Sequence, residues 1–440
     1  MLGKLDKIPR VGAAGYDSGQ PNAPECCLED TQTAVLNKIW GWIGPPTPDT
    51  ATDNPTVSDT AIEPPVYLSS DAVIEPVYWV NGLVGIRKST IACTVAEDVK
   101  HCKLLGMSFF SHQEKELSDP HLFVPTIAYQ LAQLYPEARS VIINVFQHDP
   151  DIVRKSFAIQ FKELIMEPLS KIPSKQVIIV VNTLDECDNS EGAANRLFWA
   201  IIVHCVGCPS LCLLITSRPE TYIRAIITGA AGIVLHEDID QSVVSADIHK
   251  YLCMEMSQIP KRLGIEMSLP WPSDKDLAEL VERAGKLFIW AAMAVRFVGD
   301  PLGRGPIPQL ETLLRKHIRP NLNSRLNSYT DLDSLYMDIL SQATEGLNSV
   351  CVDDMKMAIG TVTQLRSEML LMVIVHLLGD EGNMVGMALN CIQSIIPIPT
   401  DPSQPIQIYH PSFPDFVTSQ EHCPNSLFYV DPLAHERQLL

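Results

Sequence analysis

Val77 to Lys100, VYWVNGLVGIRKSTIACTVAEDVK, limits what this chain can fold into more than any other stretch. A short apolar run, Val77 to Val80, leads into Gly82-Leu-Val-Gly-Ile-Arg-Lys-Ser-Thr90, after which apolar residues recur at helical spacing. That order is strand, loop, helix. The loop reads G-x-x-x-x-G-K-[ST], whose backbone N–H groups wrap phosphates at a helix N-terminus, except that Arg87 stands where the second glycine belongs. Gly82, Gly85, Arg87, Lys88, Ser89 and Thr90 are the expected contacts, with Lys88 on the β- and γ-phosphates and the Ser89 hydroxyl on Mg2+. The missing glycine normally turns the backbone with positive φ, and a side chain there costs on the order of 1 kcal/mol or more. Arg87 either clashes with a phosphate or adds a contact. The loop alone leaves nucleotide binding and a structural turn that has lost its ligand both open.

A chain of 440 residues is expected to form two to four units. With 46% apolar and 19% charged residues it has globular composition. No stretch approaches the roughly 18–20 apolar residues that span a bilayer, and the run 369–378 is too short. The N-terminus, MLGKLDKIPR, lacks the apolar core of a secretory signal, so the cytoplasm is the expected location. A net charge of -19 argues against a nucleic-acid surface, which needs basic patches. The 12 cysteines read as reduced thiols. Cys205-Val-Gly-Cys208, with Cys212 close behind, has the spacing of half a zinc site, but with no second C-x-x-C core or loop thiols are expected.

Residues 1–26 are rich in Gly, Pro and Asn and are expected to be poorly ordered. Residues 27–43 form a docking helix that starts from Asp30-Thr31, and 44–76, rich in Pro, Thr and Asp, form a linker. Strand patterns at 77–80, 104–110, 177–181, 211–216 and 233–235 alternate with helix patterns, which predicts a doubly wound α/β parallel sheet over 77–240. Beyond it helix patterns take over at 243–256, 273–298, 332–344, 353–364 and 384–396, and 406–410 reads as a short strand. These predict a helical domain over 241–345 and a winged-helix-like module over 346–440.

A P-loop nucleotidase also needs a strand-end carboxylate for the Mg2+ shell, a group that positions water, and a cation that reads the γ-phosphate. Asn182 stands at the strand end where an aspartate is expected, Asp185 and Glu186 follow it, and Arg218 ends the next strand. Singly, these read as loop-exposed charges and a helix-capping arginine. In that order, after those strands, they predict a P-loop fold.

NGLVGIRKSTIA, VVNTLDECD, LLITSRPE, LVERAGKLFIWAA and IYHPSFPDFV resemble, in order and spacing, the NACHT-domain proteins of fungi, including those with a nephrocystin-like N-terminal module. The resemblance runs from about Cys27 to Leu440. It implies a signal-transducing P-loop ATPase in which ADP holds an inactive state and exchange for ATP allows assembly, with itself or with a partner NACHT protein. It further implies that Lys88 binds phosphate, that Ser89, Asn182 and Asp185 hold Mg2+, that Asp185, Glu186 and Arg218 serve catalysis, and that His410 contacts the β-phosphate. The family pattern often continues into signal-recognising repeats; since this chain ends at Leu440, that half is expected to be missing or never to have been present. Arg87 and Asn182 depart from the pattern, so the Walker A and Walker B motifs are both degenerate. The expected function is an ATP/ADP-binding regulatory switch with slow hydrolysis; the alternative is a scaffold or partner subunit that binds no nucleotide.

Overall fold

A computed structural model describes residues 5, 8–15, 26–43, 75–82, 85–100, 105–110, 115–172, 177–206, 208, 211–230, 232–239, 241–267, 270–315, 329–364, 369–378, 384–399, 401, 403–406, 408–425 and 427–439. The chain divides into two compact units, Met1–Leu83 with Lys88–Ile239, and Val84–Arg87 with Asp240–Leu440.

The first unit is built on five parallel strands, β1 Val77–Asn81, β2 Leu105–Phe109, β3 Val177–Asn182, β4 Leu211–Ser217 and β5 Val234–Asp238, in the order β2-β3-β4-β1-β5. Their sequences explain the arrangement. VYWVN, VIIVVN and LCLLITS are buried at every position, as strands covered on both faces require, whereas β5 at the edge is largely open. Parallel neighbours need crossovers, and helices supply them.

After α1 (Thr33–Ile43), which precedes the sheet, α2 (Lys88–Lys100) packs on β3 and β4. Its Ile91, Ala92, Val95 and Ala96 are at most 1% exposed. Each large apolar side chain buried in this way contributes about 1.5–3 kcal/mol. α3 (Pro120–Leu134) begins with Asp119 accepting a bond from the His121 amide at 2.8 Å and with proline at its first position. α4 (Pro136–His148), helical residues 157–169, α5 (Ala193–Val206) and α6 (Thr221–Gly229) complete the layers. Trp79, Phe123, Ile127, Phe161, Ile179, Phe198 and Leu213 lie in one core.

Two expectations for the N-terminus change. Leu5 and Ile8 join the main core, Val11 and Ala14 pack with Leu117, and the Arg10 guanidinium lies 3.9 Å over the Tyr129 ring, so these residues are placed rather than loose. The start expected at Asp30-Thr31 moves on: α1 begins at Thr33, Asp30 and Gln32 both have positive φ, and the Thr31 hydroxyl donates to the Leu28 carbonyl. α1 buries Val35 and Ile39, and its Lys38 pairs with Glu237 on β5 at 2.7 Å. Most of the expected linker, 44–74, lies outside the described residues.

The second unit is helical: α7 Gln241–Arg262, α8 Asp274–Ala284, α9 Phe288–Val298, α10 Pro306–Leu314, α11 Tyr329–Thr344, α12 Ser349–Gln364, α13 Leu371–Leu377, α14 Met384–Asn390, α15 Ser412–Thr418 and α16 Pro432–Leu439. The helix expected over 273–298 is two helices, because Gly285 (φ +54°) and Lys286 (φ +70°) turn the chain left-handed between α8 and α9. The strand expected at 406–410 shrinks to β7 Pro405–Ile406, antiparallel to β6 Met369–Leu370; a proline at its start removes a donor. Among the described residues no helix is long and apolar enough to cross a membrane.

Candidate functional site

β1, β4 and β3 are consecutive in the sheet, and their carboxyl ends carry Gly82, Arg218 and Asp185-Glu186. Chain order reverses here, since the chain passes from β4 over β1 to β5, and such a switch point is where open α/β sheets hold ligands. The structure thus brings together, within one unit, four residues that the sequence scatters over more than a hundred positions.

Lys88 opens α2, is 7% exposed, and donates from Nζ to the Gly82 carbonyl at 2.9 Å. Burial pushes its ammonium down to about 8; Asp185 and Glu186 oppose that shift and Arg218 adds to it. Ser89 and Thr90 follow, half-buried in the first turn of α2, where unpaired helix N–H groups favour an anion.

The Asp185 side chain is 4% exposed, and both its oxygens face Arg218: Oδ1 accepts from the Arg218 amide at 2.9 Å and Oδ2 lies 3.1 Å from Nε. Glu186 is buried at 7% exposure. Asn182, 2% exposed at the end of β3, accepts a 2.6 Å bond on Oδ1 from the Thr216 hydroxyl.

Three residues of this site escape a sequence reading. Thr183 adopts a left-handed conformation (φ 52°, ψ 48°), rare for a β-branched residue, while its hydroxyl donates to the Phe110 carbonyl at 2.6 Å and its amide donates to Thr216 Oγ1 at 3.2 Å. Thr216 therefore ties the ends of β3 and β4 together. The signal available in sequence is a polar residue closing a buried apolar run, as in VIIVVN-T and LLIT-S. Tyr222, early in α6, adds a phenol whose oxygen is buried without a hydrogen-bond partner; burial pushes the phenol up, and Asp185 adds to the shift.

Gly85 and Arg87 of the same loop belong to the second unit. Arg87 has a φ of +69°, so it takes the glycine conformation itself. Its side chain lies over the rings of Phe288 and Tyr251. His410 is in the second unit too, where its Nδ1 meets the Ser412 hydroxyl at 2.8 Å and that hydroxyl meets Tyr336 Oη at 2.8 Å. The half zinc site carries no metal geometry: among the described residues no group of three or more His, Cys, Asp or Glu could hold an ion, and Cys205 is buried with its thiol pushed up by burial.

Residues 68–218 match the family model described as nephrocystin 3, N-terminal, a span that starts before β1 and stops at Arg218. Together with the loop and sheet order, the match makes this segment a nephrocystin-like P-loop module. No curated protein matches the chain. Among solved structures, a mutant of the RuvB protein of Thermotoga maritima aligns at 11% identity over 76% of this chain and 85% of its own, with a TM-score of 0.25.

Proposed function

We propose that this protein is an ATP/ADP-binding regulatory switch of the NACHT type, with slow hydrolysis at best, whose output is self-association or assembly with a partner. The observation that carries the reading is the convergence of Lys88, Asp185, Glu186 and Arg218 at the carboxyl ends of three adjacent strands. An incoming polyphosphate approaches the start of α2, where backbone N–H groups and the helix dipole favour negative charge. Lys88, largely protonated at pH 7, exchanges the Gly82 carbonyl for a phosphate oxygen.

Mg2+ fits this donor set only in part. Asp185 has both oxygens on Arg218, and Asn182 offers a neutral oxygen already bonded to Thr216. The Ser89 hydroxyl is the donor left to hold the ion, alongside the phosphates the nucleotide brings. Asp185 therefore positions Arg218, which is assigned to the terminal phosphate, and Glu186 is assigned to orienting water. With no charged strand-end ligand, hydrolysis is slow. His410, in a winged-helix-like span over 346–440, is assigned to the β-phosphate and to coupling of the second unit.

Purified protein denatured in acid should release ADP or ATP, and Lys88→Ala should release none. The second reading, a scaffold without nucleotide, draws support from the self-satisfied site, in which Lys88 already meets Gly82 and Asp185 already meets Arg218. It expects empty wild-type protein even after incubation with Mg2+ and nucleotide.

A further inference from the structure

The segment Val84–Arg87 interrupts the first unit in sequence yet groups with the second. Its contacts there are specific. The Arg87 guanidinium carbon lies 4.5 Å from the centre of the Phe288 ring and 5.0 Å from that of Tyr251, and these rings meet edge-on at 5.9 Å. Arg87 Nη1 is buried without a hydrogen-bond partner, so the aromatic faces receive its charge. The Gly85 carbonyl accepts from the Ile289 amide at 3.1 Å, on a helix whose N-cap, Leu287, supplies no capping side chain. The loop thereby satisfies one of the orphan amides of α9. A Cβ on Gly85 would sit 2.2 Å from Ile289 Cγ2, which explains why this loop position keeps its glycine while the other does not.

We propose that Tyr251 and Phe288 are positioning residues for the phosphate loop: their rings seat the Arg87 guanidinium and so hold the left-handed turn that a glycine normally supplies. The proposal rests on the nucleotide-binding reading and deepens it, since it makes the shape of the loop depend on α7 and α9. Arg87 is suited to such a seat because its planar, weakly hydrated cation stacks on rings as lysine does not. An exposed loop arginine would lack that compensation for its backbone strain.

The full chain is compared as wild type, Tyr251→Phe, Tyr251→Leu, Arg87→Gly, and Arg87→Gly with Tyr251→Leu. Calorimetry reads binding of ADP with Mg2+, and hydrogen exchange without nucleotide reads the amides of residues 85–88. Tyr251→Leu is expected to weaken ADP about fivefold and to speed loop exchange by a similar factor, the size of one cation–π contact. Tyr251→Phe, which keeps the ring, should match wild type on both readouts. In the Arg87→Gly background Tyr251→Leu should change neither, because glycine needs no seat. Equal effects of Tyr251→Leu in both backgrounds would reduce the ring to general packing and overturn the proposal. Tighter ADP binding by Tyr251→Leu would overturn it too, by making the rings a trap that withholds Arg87 from phosphate. If no form binds ADP, the nucleotide reading falls, while the exchange comparison still decides whether the rings hold the turn.

Discussion

Lys88 is held as a buried ammonium whose desolvation Asp185 and Glu186 offset only in part. An ammonium at 7% exposure with a carbonyl for a partner pays for its desolvation in stability, and the direction of its titration says how. Its folded-state value of about 8 lies below the ordinary 10.5, so the unfolded chain binds the proton more tightly. The penalty is in full force below pH 8 and is relieved as the pH rises from 8 toward 10.5. Lys88→Met should therefore be more stable than wild type at pH 7 by about 2–3 kcal/mol, with the gap closing between pH 8 and 10.5. Urea unfolding of both proteins across that range checks it, and a gap independent of pH would assign the difference to packing. At this scale the sequence announces Lys88 and Ser89, because the motif is contiguous. It cannot announce that Asp185 spends both oxygens on Arg218, since that pairing exists only once β3 and β4 lie side by side. Nor can it show that Arg87 turns onto two rings far along the chain.

Among the elements, the buried strands were the most legible, because unbroken runs such as Val177–Val181 suit little else than a strand covered on both faces. The helices that go unread share a disguise. α6 is short and full of isoleucine and threonine, which favour strands, and α10 opens PIP, which looks like a loop until proline is seen at its first position. Thr216 sets the geometry where two of these strands end. With 0% exposure it bonds to Asn182 Oδ1 and receives the Thr183 amide, so Thr216→Val should strand both groups and cost about 1–3 kcal/mol. Thr216→Ser, which keeps the hydroxyl, should recover most of that. Denaturant midpoints of the three proteins are the measurement, and a valine variant as stable as wild type would mean that this brace contributes nothing.

For the whole molecule, a switch requires that the second unit favour one nucleotide state, since a ligand with no preference moves no equilibrium. His410 is the assigned contact, so His410→Ala should promote self-association when ATP is supplied and leave the nucleotide-free protein unchanged. Light-scattering masses of wild type and variant with ADP, with ATP and with neither supply the check; six identical masses would remove the switch. The placement of Gly85 bears on how such a molecule is made. Its carbonyl waits for the Ile289 amide, so the loop cannot reach its final form on the ribosome until residue 289 has emerged. At about 5–20 residues per second the nascent sheet stands complete for roughly 3–10 seconds before its phosphate loop can be finished. Throughout that interval the newborn chain has the strands of the sheet without the Gly85–Ile289 bond that shapes the loop beside it, and a messenger truncated before α9 would leave it so permanently.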